Sequence, residues 1–184
     1  PSQTWPLLLD HTPVVIVTKL SADVVTGVRV DVAGAESNRS NVSVESEVIT
    51  TVLAPTPRMI IAGVGPFADA LAAQATLLNW KVVVEPRPEA VAGLAATLSA
   101  VDAIVVMGHD VEKSSGCLMA ALASEAGYVG ALGSHSMQQS RADWLAYRDV
   151  VDLSRVHGPA GLDIGASSPQ EVAVAIAAEA IAAI

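Results

Sequence analysis

The chain has 184 residues, of which 52% are hydrophobic and 16% are charged, which excludes a disordered chain and suits one substantial core with a small appendage. Its formal net charge of −9 argues against nucleic acid and anionic membranes as partners, because both are bound by neutralising phosphates. The single cysteine, Cys117, allows no intramolecular disulfide, so we expect a cytoplasmic location.

The first part of the chain is rich in short β-like runs. Three runs of β-branched residues predict strands, at residues 14–17, 28–32 and 48–53. The polar stretch 36–46 predicts an exposed loop, and Pro55 and Pro57 mark the entry into the next part. We therefore expect a short strand-rich N-terminal segment over residues 1–56 and a larger domain over residues 57–184.

In this larger part, strand-like and helix-like runs alternate, a pattern that produces a parallel sheet flanked by helices. Strands are predicted at residues 59–62, 81–85, 103–107 and 128–132. Helices are predicted at residues 66–79, 88–99, 112–126 and 136–148. A last, buried helix is predicted after Ser168, which can form a capping box with Glu171. The predicted fold class is α/β, a Rossmann-like parallel sheet with flanking helices, preceded by the short β-rich segment.

The turn after the first strand of this domain has a G-x-G-x-x-A pattern. Gly63 allows a tight turn, Gly65 allows the backbone to approach a pyrophosphate, and Ala68 lets the helix pack closely on the sheet. The start of the helix adds partial positive charge, so the turn predicts a site for the phosphates of a nucleotide-like ligand. Pro66 contributes no N–H donor and Phe67 is bulky, which leaves open a purely packing role for the glycines.

Glu85 ends the second strand of the domain, where dinucleotide-binding folds place an acid that accepts a hydrogen bond from ribose. Such an acid would favour NAD over NADP, since a carboxylate repels a 2′-phosphate. The alternative is that Glu85 is a solvated strand end.

Further candidates follow the third and fourth strands, because ligands of open α/β sheets bind at the carboxyl edge. His109 and Asp110 follow the third strand, although Asp110 also suits a helix cap. Gly133 and Ser134 follow the fourth strand, and Ser134 can cap a helix or bind a ligand. The glycine-rich stretch 157–165 predicts a shaped loop of the kind that lines sites. No ligand set of defined spacing accompanies the His-Asp pair, so no metal site is predicted.

Five segments together resemble the C-terminal Rossmann domain of the XdhC/CoxI family. They are RMIIAGVGPFADAL, VVVEPRPE, AIVVMGHD, YVGALGS and RVHGPAGLDIGASSPQEVAVAIAAE, and they appear in the family's order. The resemblance implies an accessory factor that binds the molybdenum cofactor (molybdopterin), assists its sulfuration and delivers it to a molybdenum hydroxylase apo-enzyme. It also implies a homo-oligomer, with a dimer favoured. The candidate cofactor-binding residues are Gly63, Gly65, Pro66, Phe67, Glu85, Arg87, His109, Asp110, Gly133, Ser134 and Asp163, and the resemblance adds Gly161 and Gly165.

Three functions follow from these observations. The first is a non-catalytic cofactor-binding chaperone of the XdhC/CoxI type, which would bind a nucleotide-like ligand or molybdopterin. The second is an NAD(P)-dependent oxidoreductase, suggested by the turn at Gly63 and by Glu85. The third is a degenerate Rossmann interaction module that keeps the fold and associates through its last helix.

Overall fold

The computed structural model describes residues 4–34 and 39–184. The chain divides into two compact units, Pro1–Pro55 and Thr56–Ile184. No helix in these described ranges has the length and apolar character needed to cross a membrane.

The first unit is an antiparallel sheet preceded by a short helix. Its elements are α1 (Thr4–Leu9), β1 (Val14–Ser21), β2 (Val24–Val32), β3 (Asn41–Glu45) and β4 (Val48–Leu53). The strands lie in the order β2-β1-β4-β3, with every neighbouring pair antiparallel. The valine-rich runs form three of these strands, and β1 and β2 are longer than the runs that predict them.

The loop prediction for residues 36–46 is wrong at 41–45, which form β3. In this strand Val42 pairs with Thr51 and Val44 pairs with Ile49 of β4. Every residue of β3 is exposed, so its polar composition resembles that of a loop although its backbone is paired. The rest of the predicted loop includes residues 35–38, which lie outside the described residues.

The second unit contains five parallel strands and five helices. The strands are β5 (Arg58–Ala62), β6 (Lys81–Val84), β7 (Ala103–Val106), β8 (Tyr128–Ala131) and β9 (Val156–His157). The helices are α2 (Pro66–Leu77), α3 (Pro88–Ala95), α4 (Val111–Leu122), α5 (His135–Ala146) and α6 (Pro169–Ala183). The predicted Rossmann-like parallel sheet with flanking helices is confirmed.

Alternating side chains of the strands build two hydrophobic clusters, one on each face of the sheet. Ile60, Ile104 and Val129 pack on the face covered by α3, α4 and α5. Ile61, Val105 and Tyr128 pack on the face covered by α2 and α6. All residues of β7 and β8 are buried, as expected for parallel strands covered on both faces.

The strand order is β6-β5-β7-β8-β9, which is the order 2-1-3-4-5 within this unit. In such a sheet the connections run in opposite directions on either side of the first strand, and a crevice opens at the carboxyl ends of the first and third strands. Here these strands are β5 and β7. The topology therefore directs attention to the turns that follow them.

One strand was missed within the stretch predicted as a loop. Val156 pairs with Val129, and His157 pairs with Gly130, so the loop prediction for 157–165 is wrong at its first residue. A two-residue strand is too short to show a periodic sequence pattern, and only its backbone hydrogen bonds to the neighbouring strand define it.

Candidate functional site

A cavity of about 580 Å³ lies at the carboxyl edge of the parallel sheet. Three turns form it, each joining a strand to the helix that follows: β5 to α2, β7 to α4 and β8 to α5. The lining residues are Val64, Gly65, Pro66, Phe67, Met107, Gly108, His109, Leu132, Gly133, Ser134, Met137 and Val172. The cavity thus lies at the switch point that the strand order defines.

The β5–α2 turn requires glycine at its first position. Gly63 has a φ of 149°, and a Cβ added there would lie 2.7 Å from the carbonyl oxygen of Met107. Gly65, with a φ of 112°, is the N-cap of α2 and has no neighbouring atom within 4 Å of an added Cβ. Gly63 therefore allows two turns to approach each other, whereas Gly65 leaves free space beside the helix start.

The three helices that begin at the cavity differ in how their first N–H groups are satisfied. The Asp110 side chain accepts a hydrogen bond from Lys113 N at 3.0 Å, and the Ser134 side chain accepts one from Met137 N at 3.3 Å. No side chain of the described residues caps α2, which begins with Pro66. Because the first N–H groups of a helix lack partners within it, the start of α2 is the one left open to a ligand.

The walls of the cavity are mostly apolar. Phe67 is 37% exposed and lies among the lining residues without closing the cavity. His109 is exposed and is the one ionisable side chain among the lining residues, all of which belong to the described part of the chain. Such a lining suits the body of a flat ligand, with polar contacts confined to the backbone of the turns.

Glu85 and Arg87 lie outside this cavity and pair with each other. Glu85 Oε1 accepts from Arg87 N at 2.9 Å and from Arg87 Nε at 2.8 Å, and Glu85 Oε2 accepts from Arg87 Nη2 at 2.8 Å. These bonds lower the pKa of Glu85 to about 2, so its carboxylate is ionised at neutral pH. Both residues follow β6, on the side of β5 opposite to β7.

The structure brings together six of the candidate residues around one cavity: Gly65, Pro66, Phe67, His109, Gly133 and Ser134. Gly63 lies beside this group, against Met107. Asp110 and Asp163 are exposed and are absent from the lining. Gly161 N donates to Glu179 Oε2 at 2.7 Å, which ties its loop to α6.

Sequence reasoning missed several lining residues, among them Met137 in α5 and Val172 in α6. Both lie near a helix start, so they point back over the edge of the sheet. Met137 lies three residues after the Ser134 cap and Val172 four residues after the Ser168 cap. One sequence signal could have identified these two lining residues. Each is an apolar residue in the first turn of a helix whose N-cap serine is recognisable in the sequence.

Comparisons with known proteins agree with this architecture. A family model described as the XdhC Rossmann domain matches residues 59–180. The crystal structure of a xanthine dehydrogenase from Bacillus halodurans is similar, with a TM-score of 0.72 and 23% identity, which shows a shared fold. The match covers 98% of this chain and 62% of that one, so the chain spans less than two thirds of its structural relative. No protein with a curated function matches. The chain belongs to the family defined by the XdhC Rossmann domain, as its sequence motifs predict.

Proposed function

We propose that this chain is an accessory protein of the XdhC/CoxI type that binds an anionic cofactor in the cavity at the sheet edge. The cofactor is molybdopterin or a related nucleotide-like molecule. The recipient would be the apo-enzyme of a molybdenum hydroxylase of the xanthine dehydrogenase type, and the resemblance favours a homodimer. The observation that carries the proposal is a cavity built from three strand-end turns in which one helix start is left uncapped.

The residues present fit such a cofactor in two respects. The first N–H groups of α2 after Pro66, those of Phe67 and Ala68, can donate to a phosphate, and the helix dipole favours negative charge there. The apolar walls, including Phe67 and Leu132, can cover a flat ring and exclude water from it. Bound molybdopterin would supply the dithiolene group that carries molybdenum.

The side chains around the cavity support a binding role over a catalytic one. Ser134 is engaged as a helix cap and also lies 2.8 Å from the Ser136 hydroxyl. His109 is exposed, which suits contact with a ligand or with a protein that receives it. We further propose that the two compact units are separate domains and that Thr56–Ile184 carries the cofactor site.

Two matched substitutions in α6 test the site. Val172 lines the cavity, whereas Val174 is 47% exposed and is absent from the lining. Val172→Trp should fill the cavity and weaken binding of the molybdenum cofactor by at least about tenfold, since it removes the space for the ring. Val174→Trp should bind as the wild type does. Equilibrium binding under anaerobic conditions gives the affinities, and circular dichroism shows whether both variants keep the fold.

The same binding measurements distinguish the proposed cofactor-binding role from the alternative of an NAD(P)-dependent oxidoreductase. The proposed site would be wrong if NAD binds to the wild type with an affinity that Val172→Trp leaves unchanged and Glu85→Gln lowers. That result would place the ligand beside β6. Equal binding of the molybdenum cofactor to both tryptophan variants would also contradict the proposal.

A further inference from the structure

Arg141 is the largest fully buried side chain of the described residues, with 1% of its surface exposed. Its guanidinium donates to four oxygens. Nη2 donates to Gly108 O, Nη1 donates to Leu132 O at 2.8 Å and to the Gln138 side chain at 3.2 Å, and Nε donates to Ser114 Oγ at 3.0 Å. All four acceptors are neutral.

The positive charge of Arg141 therefore has no counter-ion in the described parts of the chain. Its hydrogen-bond partners include no carboxylate, and no ion pair joins it to a described residue. Burial lowers the pKa of its guanidinium, but arginine starts so far above neutrality that the group stays charged at pH 7. Four hydrogen bonds compensate its lost hydration, but a buried charge without an opposite charge beside it remains costly.

Arg141 does not line the cavity but contacts its wall, and it also lines a second pocket of the same unit. Gly108 and Leu132, whose carbonyl oxygens it binds, both line the cavity. A Cβ added at Gly133, a third lining residue, would lie 3.5 Å from Arg141 Nη1. Arg141 thus links the β7–α4 turn to the β8–α5 turn and places a full positive charge beneath both.

We propose that Arg141 is a positioning residue that holds these two turns together and makes the cavity select a ligand bearing phosphate or pyrophosphate. The inference rests on the proposed function, because it assigns the chemical class of the ligand for the same cavity. The formal charge of −9 repels anions from the molecule as a whole, so a local source of positive potential is needed for them to bind. A charge buried behind the turns is screened little by salt and acts over several ångströms.

The test uses inorganic pyrophosphate as the probe and two pairs of variants. Arg141→Met removes the charge, whereas Arg141→Lys keeps it. Gln138→Glu places a carboxylate against Arg141 Nη1 and loses the two bonds that the amide donates to Ala131 O and Gly133 O. Gln138→Met loses those two bonds, and the one from Arg141, without adding charge. The second pair keeps the proposal testable if Arg141→Met does not fold, because Gln138 is only half-buried and does not line the cavity at the sheet edge.

Titrations at constant ionic strength, followed by the amide NMR signals of Phe67, Ala68 and Gly133, give the affinity and location of the probe. We expect at least about tenfold weaker binding for Arg141→Met than for Arg141→Lys, and for Gln138→Glu than for Gln138→Met. A purely structural role would lower binding in both members of each pair alike, and that result would overturn the proposal. So would absence of pyrophosphate binding to the wild type.

The two proposals can fail separately. If pyrophosphate binds with the expected charge dependence but the molybdenum cofactor does not bind, the proposed cofactor is wrong and the role of Arg141 stands. If the molybdenum cofactor binds and both pairs of variants bind pyrophosphate with equal affinity within each pair, the role of Arg141 is overturned and the proposed function stands.

Discussion

The two sheets of this protein are built from similar β-branched residues but differ in how much of each is buried. All residues of β7 and β8 are buried, whereas all residues of β3 are exposed. Among the described hydrophobic residues of the first unit, only Val14 and Val52 are buried. Valine content alone therefore does not identify the core, because burial depends on the helices that cover each face.

The difference also bears on the proposed function. The cavity lies at the edge of the buried sheet, where strands fixed on both faces hold the turns that follow them. Precise placement of backbone donors requires such a rigid support. Three predictions test whether the parallel sheet carries the stability that this role needs.

The largest effect is expected at the centre of the parallel sheet. Ile104 is fully buried in β7, so Ile104→Ala should lower the free energy of unfolding by about 3 kcal/mol through lost burial and a new cavity. Val44 in β3 is 64% exposed, and Val44→Ala should change the free energy of unfolding by less than about 0.5 kcal/mol. Urea denaturation measures both. Equal costs would show that the comparison of the two sheets is mistaken.

A smaller effect is expected at the buried ion pair that joins the starts of β5 and β7. Asp102 Oδ2 accepts from Arg58 Nη2 at 2.6 Å and from Ser99 Oγ at 2.9 Å, and Oδ1 accepts from Arg58 N at 2.8 Å. Burial alone would raise the pKa of Asp102, but these bonds outweigh burial and lower it. Asp102→Asn should therefore cost about 2 kcal/mol at pH 7.

The pH dependence follows from the direction of that shift. A carboxyl whose pKa is lowered by folding contributes stability above its unfolded pKa of about 4, and loses it as the pH falls through the folded value. The stabilities of the wild type and Asp102→Asn should therefore converge below about pH 4. Glu45→Gln, in the exposed β3, serves as the control and should change stability by less than about 0.5 kcal/mol at pH 7. A gap at Asp102 that persists unchanged at pH 3 would show that its charge is not the cause.

The smallest effect is expected at the start of α6, which covers one face of the parallel sheet. Ser168 Oγ accepts from Glu171 N at 3.3 Å, and Glu171 Oε2 accepts from Ser168 N at 2.9 Å. Ser168→Ala should cost about 1 kcal/mol, because it leaves one N–H of the first turn without its partner. Thermal denaturation measures the change, with Ser43→Ala in β3 as the control. A loss as large as that of Ile104→Ala would mean that caps, not buried side chains, dominate the stability of this unit.

Local sequence signals account for much of the fold. The capping box at Ser168 appears as predicted because a few neighbouring residues determine it. The strands β3 and β9 were missed for the opposite reason: β3 is polar and exposed, and β9 is only two residues long. Their existence depends on pairing with distant residues, which no local window contains.

The candidate site could be predicted in part. The turn residues Gly65, His109 and Ser134 meet at one cavity because parallel strands end at the same edge. Glu85 lies apart, because β6 flanks β5 on the other side and Arg87 binds its carboxylate. The hydrogen-bond partners of Arg141 could not be predicted from the sequence. They include backbone carbonyls, which every residue has and which no sequence pattern distinguishes.

The close approach of Gly63 to Met107 has a consequence for the thermodynamics of recognition. Not even a methyl group fits between these two turns, and Arg141 in turn fastens Gly108 to Leu132. The three turns that form the cavity are therefore pre-organised. A ligand that binds there would lose conformational entropy of its own, while the protein would lose little. The affinity of a ligand for such a cavity would depend on how well its shape and charge fit the fixed walls. A small mismatch in the ligand should therefore lower the affinity strongly.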